Sequence, residues 1–121
     1  MSPLALVVDD SMLIRHTVCR FFEERGFAVE SATNGLEALE LLKVVRPDLI
    51  VTDLSMPKMT GSELITALKE NAGTATTPLV VLAAKQSGSR PIEEDRADFV
   101  IFKDIDIQEQ LEAAVSSIAR T

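Results

Sequence analysis

Pro47-Asp48-Leu49-Ile50-Val51-Thr52-Asp53-Leu54-Ser55-Met56-Pro57-Lys58-Met59-Thr60-Gly61 holds a strand, a turn and the start of a helix in one stretch. Leu49 to Thr52 is apolar or β-branched at every position, with Asp before and after it. A run this short, without polar alternation, suits a strand covered on both faces. Pro57 marks the turn. Thr60 followed by Glu63 is a capping-box signature, and Leu64, Ile65 and Leu68 give the next segment a helical apolar stripe. Strand, short loop and helix in this order make half of a βαβ unit.

The same grammar extends both ways. Leu4 to Val8 is a second apolar run, closed by Asp9-Asp10. Ile14, Val18, Phe21, Phe22 and Arg25 follow at helical spacing, with Gly26 as the stop. A short strand is expected near Phe27–Ser31. Asn34 and Glu37 resemble a capping pair ahead of Leu36, Leu39, Leu42 and Val45, a helix that Pro47 would end. After a polar loop from Asn71 to Thr77, Pro78 introduces a fourth strand, Leu79–Leu82. A fifth, Phe99–Phe102, ends at Lys103. The last helix is predicted from near Asp106, with Leu111, Ala114, Val115 and Ile118 facing inward. Lys85 to Asp98 is the weak segment, with at most a short helix from about Pro91. The pattern predicts an α/β fold: a doubly wound five-stranded parallel sheet with helices on both faces, the fourth helix short or irregular. The whole chain, residues 1–121, is expected to form one domain.

The formal net charge of −7 argues against nucleic acid or an anionic membrane as the main partner, because phosphate groups select clustered Lys and Arg. Cys19 is the only cysteine, so no internal disulfide is expected, which suits a reducing cytoplasm. No apolar run approaches the ~20 residues of a membrane span, and Asp9-Asp10 interrupts the first run too early for a signal peptide.

In a parallel sheet the carboxyl ends of the strands share one edge, where ligands bind. Asp9, Asp10, Asp53 and Lys103 would therefore meet. Taken singly, each has a plainer reading: a helix cap for Asp9-Asp10, a turn residue for Asp53, a solvated surface group for Lys103. Their joint placement favours a shared acidic pocket, and crowded carboxylates call for a divalent cation. His16 is expected to face solvent, Cys19 to be half-buried, and Met12, Met56 and Met59 to pack or shape loops. The glycines make no phosphate-cradling spacing.

Val7-Val8-Asp9-Asp10-Ser11, the 47–53 and 53–61 stretches and Lys103, in order and spacing, make the chain resemble a response-regulator receiver domain of the CheY-like kind. The resemblance implies a strand order of 2-1-3-4-5 and two-component signalling, with a sensor histidine kinase or a phosphotransfer protein as donor and an unknown protein downstream. It implies Asp53 as phosphoacceptor and Lys103 as partner of carboxylate and phosphoryl group. Magnesium, or manganese in its place, would be held by Asp9, Asp10, Asp53 and the backbone carbonyl of Ser55. Such a domain would catalyse its own phosphorylation and dephosphorylation without being an enzyme in the usual sense.

Three positions depart from the family pattern. Ala83 stands where a hydroxyl usually ends the fourth strand. Val100 stands where an aromatic residue often lies, and Asp104 replaces the proline that usually follows the lysine. These departures predict blunted or rerouted switching. They also support an alternative, a pseudo-receiver whose output does not depend on phosphate. A third reading, an aspartate-nucleophile phosphatase, requires Asp-x-Asp after the first strand, and here the acids are adjacent.

Overall fold

The computed structural model describes residues 2–54, 58–83, 96–103 and 106–119. Its elements in chain order are β1 (Leu4–Val8), α1 (Met12–Glu23), β2 (Ala28–Ala32), α2 (Gly35–Leu41), β3 (Leu49–Asp53), α3 (Gly61–Glu70), β4 (Leu79–Ala83), β5 (Phe99–Phe102) and α4 (Ile107–Ala119). The strands form one parallel sheet in the order β2-β1-β3-β4-β5. The chain leaves β1 toward β2, then crosses back to β3 on β1's other side. The carboxyl ends of β1 and β3 thus flank the point where strand order reverses.

Alternation along the strands divides the hydrophobic mass into two cores. Ala5, Val7, Leu49, Val51, Val80, Leu82 and Ile101 lie under Val18, Phe21 and Phe22 of α1 and Leu111 and Ala114 of α4. The intervening residues Leu6, Val8, Ile50, Leu79 and Val81 lie under Ala38 of α2 and Leu64, Ile65 and Leu68 of α3. Covered on both sides, β3 and β4 are buried at every position, which explains why they read as unbroken apolar runs.

The helix ends follow local chemistry. Ser11 caps α1, its hydroxyl accepting from the Ile14 N–H. Gly26, at φ +88°, closes that helix while the Phe27 N–H donates back to the Phe22 carbonyl. Phe27 therefore belongs to the helix exit, and β2 starts one residue later than expected. The Thr60–Glu63 capping box forms as predicted. At α2 the expected pair is offset. Asn34 Oδ1 accepts from the Glu37 N–H, but the Glu37 carboxylate takes the Thr33 N–H instead of the cap's own. The helix also stops at Leu41, well short of the predicted Val45. The Lys43 and Val44 N–H groups bond to the Glu40 and Leu41 carbonyls in tighter turns, and a residue before proline, here Arg46, disfavours helical backbone.

Val100 packs in the α2/α3 core, whereas Phe99 joins the opposite one. Met12 is 73% exposed, not a packing residue as expected. It is the first residue of α1. Met59 does pack, its side chain lying over Gly35. The helix expected from Pro91, together with Ser55, Met56 and Asp104, lies outside the described residues.

Candidate functional site

Asp9 follows β1, and its backbone N–H is held by the Ala32 carbonyl of β2. Asp53 is the last residue of β3. Both are buried, while Asp10 is exposed. One carboxylate oxygen from each of the three lies within 4.8 Å of the other two. Lys103, just beyond β5, reaches into this group: its Nζ is 2.9 Å from Asp9 Oδ2 and 3.0 Å from Asp53 Oδ2. The lysine side chain is only 19% exposed, so it is no solvated surface group. The strand ends bring all four sequence-predicted side chains to one edge. The Ser55 carbonyl and Asp104 cannot be set against this geometry, being outside the described residues.

The start of α3 is pinned to the end of β3 by backbone packing. The Gly61 N–H donates to the Leu54 carbonyl at 2.9 Å. A Cβ at position 61 would overlap the Asp53 carbonyl oxygen and lie 2.5 Å from Leu54 Cα. Only glycine lets the start of α3 approach the end of β3 this closely. Lys58, shortly before α3, takes a left-handed backbone at φ +70°, which is uncommon outside glycine.

Among the described residues, the pocket sets three carboxylates against the one Lys103 ammonium. Burial pushes the Asp9 carboxyl above its ordinary value, and the Asp53 charge adds to that; the Ser11 N–H and the Lys103 ammonium pull it down without cancelling the rise. Burial alone would lower the Lys103 pKa, yet its close contacts and charge interactions with Asp9 and Asp53 outweigh burial and raise it. Both shifts mean that protons are held more tightly than usual. Asp9 Oδ2 is also buried without an aligned hydrogen-bond donor among the described residues, the ammonium meeting it as an ion pair only. Three carboxylates, one with an under-satisfied oxygen, form a hard-oxygen donor set that fits a divalent cation such as Mg²⁺.

Two supporting residues were not singled out from sequence. Ser11, rather than the two acids, caps α1, and its N–H donates to Asp9 Oδ1 at 2.8 Å. A serine ahead of an apolar helical run was the available signal. Arg15 donates to the Asp9 backbone carbonyl at 2.9 Å, which no local pattern announces. Ala83 ends β4, buried, and offers no hydroxyl to this edge.

In a doubly wound parallel sheet, a cluster of acids and one lysine at the carboxyl edge of the strands occupies the place where ligands bind. Residues 5–116 match the response regulator receiver domain family, and the chain belongs to it. It is a receiver domain of two-component signalling. Among curated proteins it is 35% identical over 103 residues to the two-component response regulator ORR3 of Oryza sativa subsp. indica, covering 82% of this chain and 79% of that protein. It is 33% identical over 123 residues to the response regulator MprA of Mycobacterium ulcerans (strain Agy99), spanning all of this chain and 52% of MprA. Among solved structures, the Vibrio cholerae chemotaxis protein CheY4 superposes with a TM-score of 0.86 at 28% identity, covering 98% of this chain and 99% of that one. The receiver domain of the Francisella response regulator 1452 gives a TM-score of 0.81 at 30% identity, covering 98% of each chain.

Proposed function

We propose that residues 1–121 form one cytoplasmic receiver domain in which Asp53 accepts a phosphoryl group from a sensor histidine kinase or a phosphotransfer protein. The reading rests above all on the Lys103 ammonium lying within 3.0 Å of carboxylates from two different strands. An Asp53 carboxylate oxygen forms the new bond to phosphorus as the donor's bond to phosphorus breaks, and the donor leaves with that electron pair. Such transfers depend on positioning and charge neutralisation more than on covalent assistance. Lys103 pairs with Asp53 beforehand and with a phosphoryl oxygen afterwards. Asp9, Asp10, Asp53 and the Ser55 carbonyl would hold Mg²⁺, or Mn²⁺. When bound, the cation neutralises charge on the transferring group. Asp9 keeps its carboxylate aimed through the Ser11 N–H, and Arg15 fixes the backbone behind it. The domain modifies itself and does not turn over an independent substrate.

Ala83 supplies no donor to the phosphoryl group. A hydrogen bond to a charged group contributes about 1.5–3 kcal/mol, a large share of the about 5.5 kcal/mol needed to invert a 1:99 equilibrium. Phosphorylation is therefore proposed to drive a blunted or rerouted switch. Ala83 and Val100 favour a second reading, a pseudo-receiver acting independently of phosphate. Incubation with a small phosphodonor and Mg²⁺, followed by intact-mass measurement, separates the two. A phosphoryl adduct lost in Asp53→Ala supports the first reading. No adduct on the wild type, or equal labelling of the variant, leaves the second.

A further inference from the structure

Lys103 stands just past an edge strand. The inner side of that strand end is tied to β4, where the Lys103 N–H donates to the Ala83 carbonyl at 2.8 Å. In a parallel ladder the neighbouring residue, Phe102, turns its N–H and C=O outward, and among the described residues β5 has no further strand beside it. Both groups are nevertheless matched. The Phe102 N–H donates to Gln110 Oε1 at 2.9 Å, and Gln110 Nε2 donates to the Phe102 carbonyl at 2.8 Å. The second Nε2 hydrogen is directed to the Asp106 carbonyl at 3.2 Å. One side-chain amide thus plays the part of a missing strand, with its acceptor and both donors in use.

Gln110 is itself firmly mounted. It precedes Leu111, which is fully buried with Ala114 against the α1 side of the sheet. Asp106 caps the start of this helix, accepting from the Glu109 N–H at 3.2 Å. The backbone at 102–103 is therefore clamped between β4 on one side and α4 on the other. From that clamp the flexible lysine stem must deliver its ammonium to within 3.0 Å of two carboxylates. Long side chains lose conformational freedom in such a geometry, so a fixed starting point matters. Glutamine alone fits all three groups: a carboxylate would repel the two carbonyls, and an aliphatic chain would leave Phe102 unmatched.

We infer that Gln110 is a positioning residue for Lys103: by holding both backbone polar groups of Phe102 it aims the ammonium at Asp9 and Asp53. The inference rests on the phosphoacceptor reading for its consequence in phosphoryl binding, and on geometry alone for the aim of Lys103.

The experiment uses Gln110→Leu and Gln110→Glu, each also in a Lys103→Ala background, with two readouts. The first is the metal-free ¹H–¹⁵N signal of the lysine ammonium, visible when an ion pair protects it from exchange and assigned by its loss in Lys103→Ala. It is expected in the wild type and broadened or absent in both Gln110 variants. The second is NMR titration with beryllofluoride and Mg²⁺, beside Mg²⁺ alone. Gln110→Leu is expected to weaken beryllofluoride binding about tenfold, as for a misaligned charge-assisted hydrogen bond. Mg²⁺ binding should change less than about twofold, and the beryllofluoride effect should vanish in the Lys103→Ala background. A purely structural role would lower affinity equally with and without the lysine, and that result overturns the inference, as does an unchanged ammonium signal in both variants. Should Gln110→Leu fail to fold, Gln110→Glu carries the same comparison, since it keeps the bond to the Phe102 N–H. If the wild type binds no beryllofluoride, the phosphoacceptor reading falls, and the ammonium signal alone decides the role of Gln110.

Discussion

Replacing Gly61 by alanine tests how closely the start of α3 must approach the end of β3. Helix propensity by itself predicts a gain of up to about 1 kcal/mol, because alanine outranks glycine in a helix. The packing predicts the opposite sign. The added methyl would overlap the Asp53 carbonyl oxygen and sit 2.5 Å from Leu54 Cα, and neither atom belongs to a side chain that could swing aside. Ordinary carbon contacts lie at about 3.5–4.0 Å, so the helix start or the strand end must retreat by roughly 1 Å. Overpacking of this kind costs about 1–3 kcal/mol, and stretching the Gly61 N–H bond to Leu54 adds about 0.5–1.5 kcal/mol. After subtracting the propensity gain, the net loss is about 2 kcal/mol, or a Tm lower by about 6–12 °C in a domain of this size. Thermal melts followed by far-UV circular dichroism measure it directly. Gly73→Ala is the control: its new methyl meets the tip of the Arg46 side chain, which can move, so its Tm should stay within about 2 °C of wild type. A Gly61→Ala protein as stable as wild type, or more stable, would refute the packing argument.

Other outcomes follow from the site and its supports. At about 100 times its dissociation constant, Mg²⁺ should stabilise the wild type by about 2.7 kcal/mol, and Asp10→Asn should lose most of that gain in melts compared with chelator. Ala83→Thr should strengthen beryllofluoride binding at least about tenfold and enlarge the change in amide exchange at residues 96–103; no gain would show that the missing hydroxyl is not the cause of a blunted switch. The Thr33 N–H holds the Glu37 carboxyl below its ordinary value near 4.5, and Arg25 does the same for Glu112. Because each folded-state pKa lies below the unfolded one, their stabilisation is present above the ordinary glutamate range and is lost as pH falls through the lower, folded value. Glu37→Gln and Glu112→Gln should therefore flatten acid unfolding in that window, as read by circular dichroism across a pH series.

The fold was legible because β1, β3 and β4 are covered on both faces, so their burial appears as unbroken apolar runs. Glycine and capping residues placed most helix limits within a residue. The end of α2 was not legible, since the apolar spacing continues to Val45 while the backbone is governed by Pro47 farther on. Asp9, Asp10, Asp53 and Lys103 could be gathered from sequence because each follows a strand, and parallel strands share an edge. Their supports could not. Arg15 acts through the backbone of Asp9, and Gln110 recognises the backbone of Phe102, so the partner's residue type gives no sign of either contact.

The acids and the lysine are unequally anchored. Asp9 follows, and Asp53 ends, a strand with a neighbouring strand on either side, whereas Lys103 follows an edge strand whose outer side is held by one side chain of α4. Release of the Gln110 clamp at that rim would carry off the Lys103 counter-charge while leaving the carboxylates where they are. The pocket would then be open to an incoming cation or phosphate without any disturbance of the interior, so exchange of ligands need not await unfolding of the parts that recognise them.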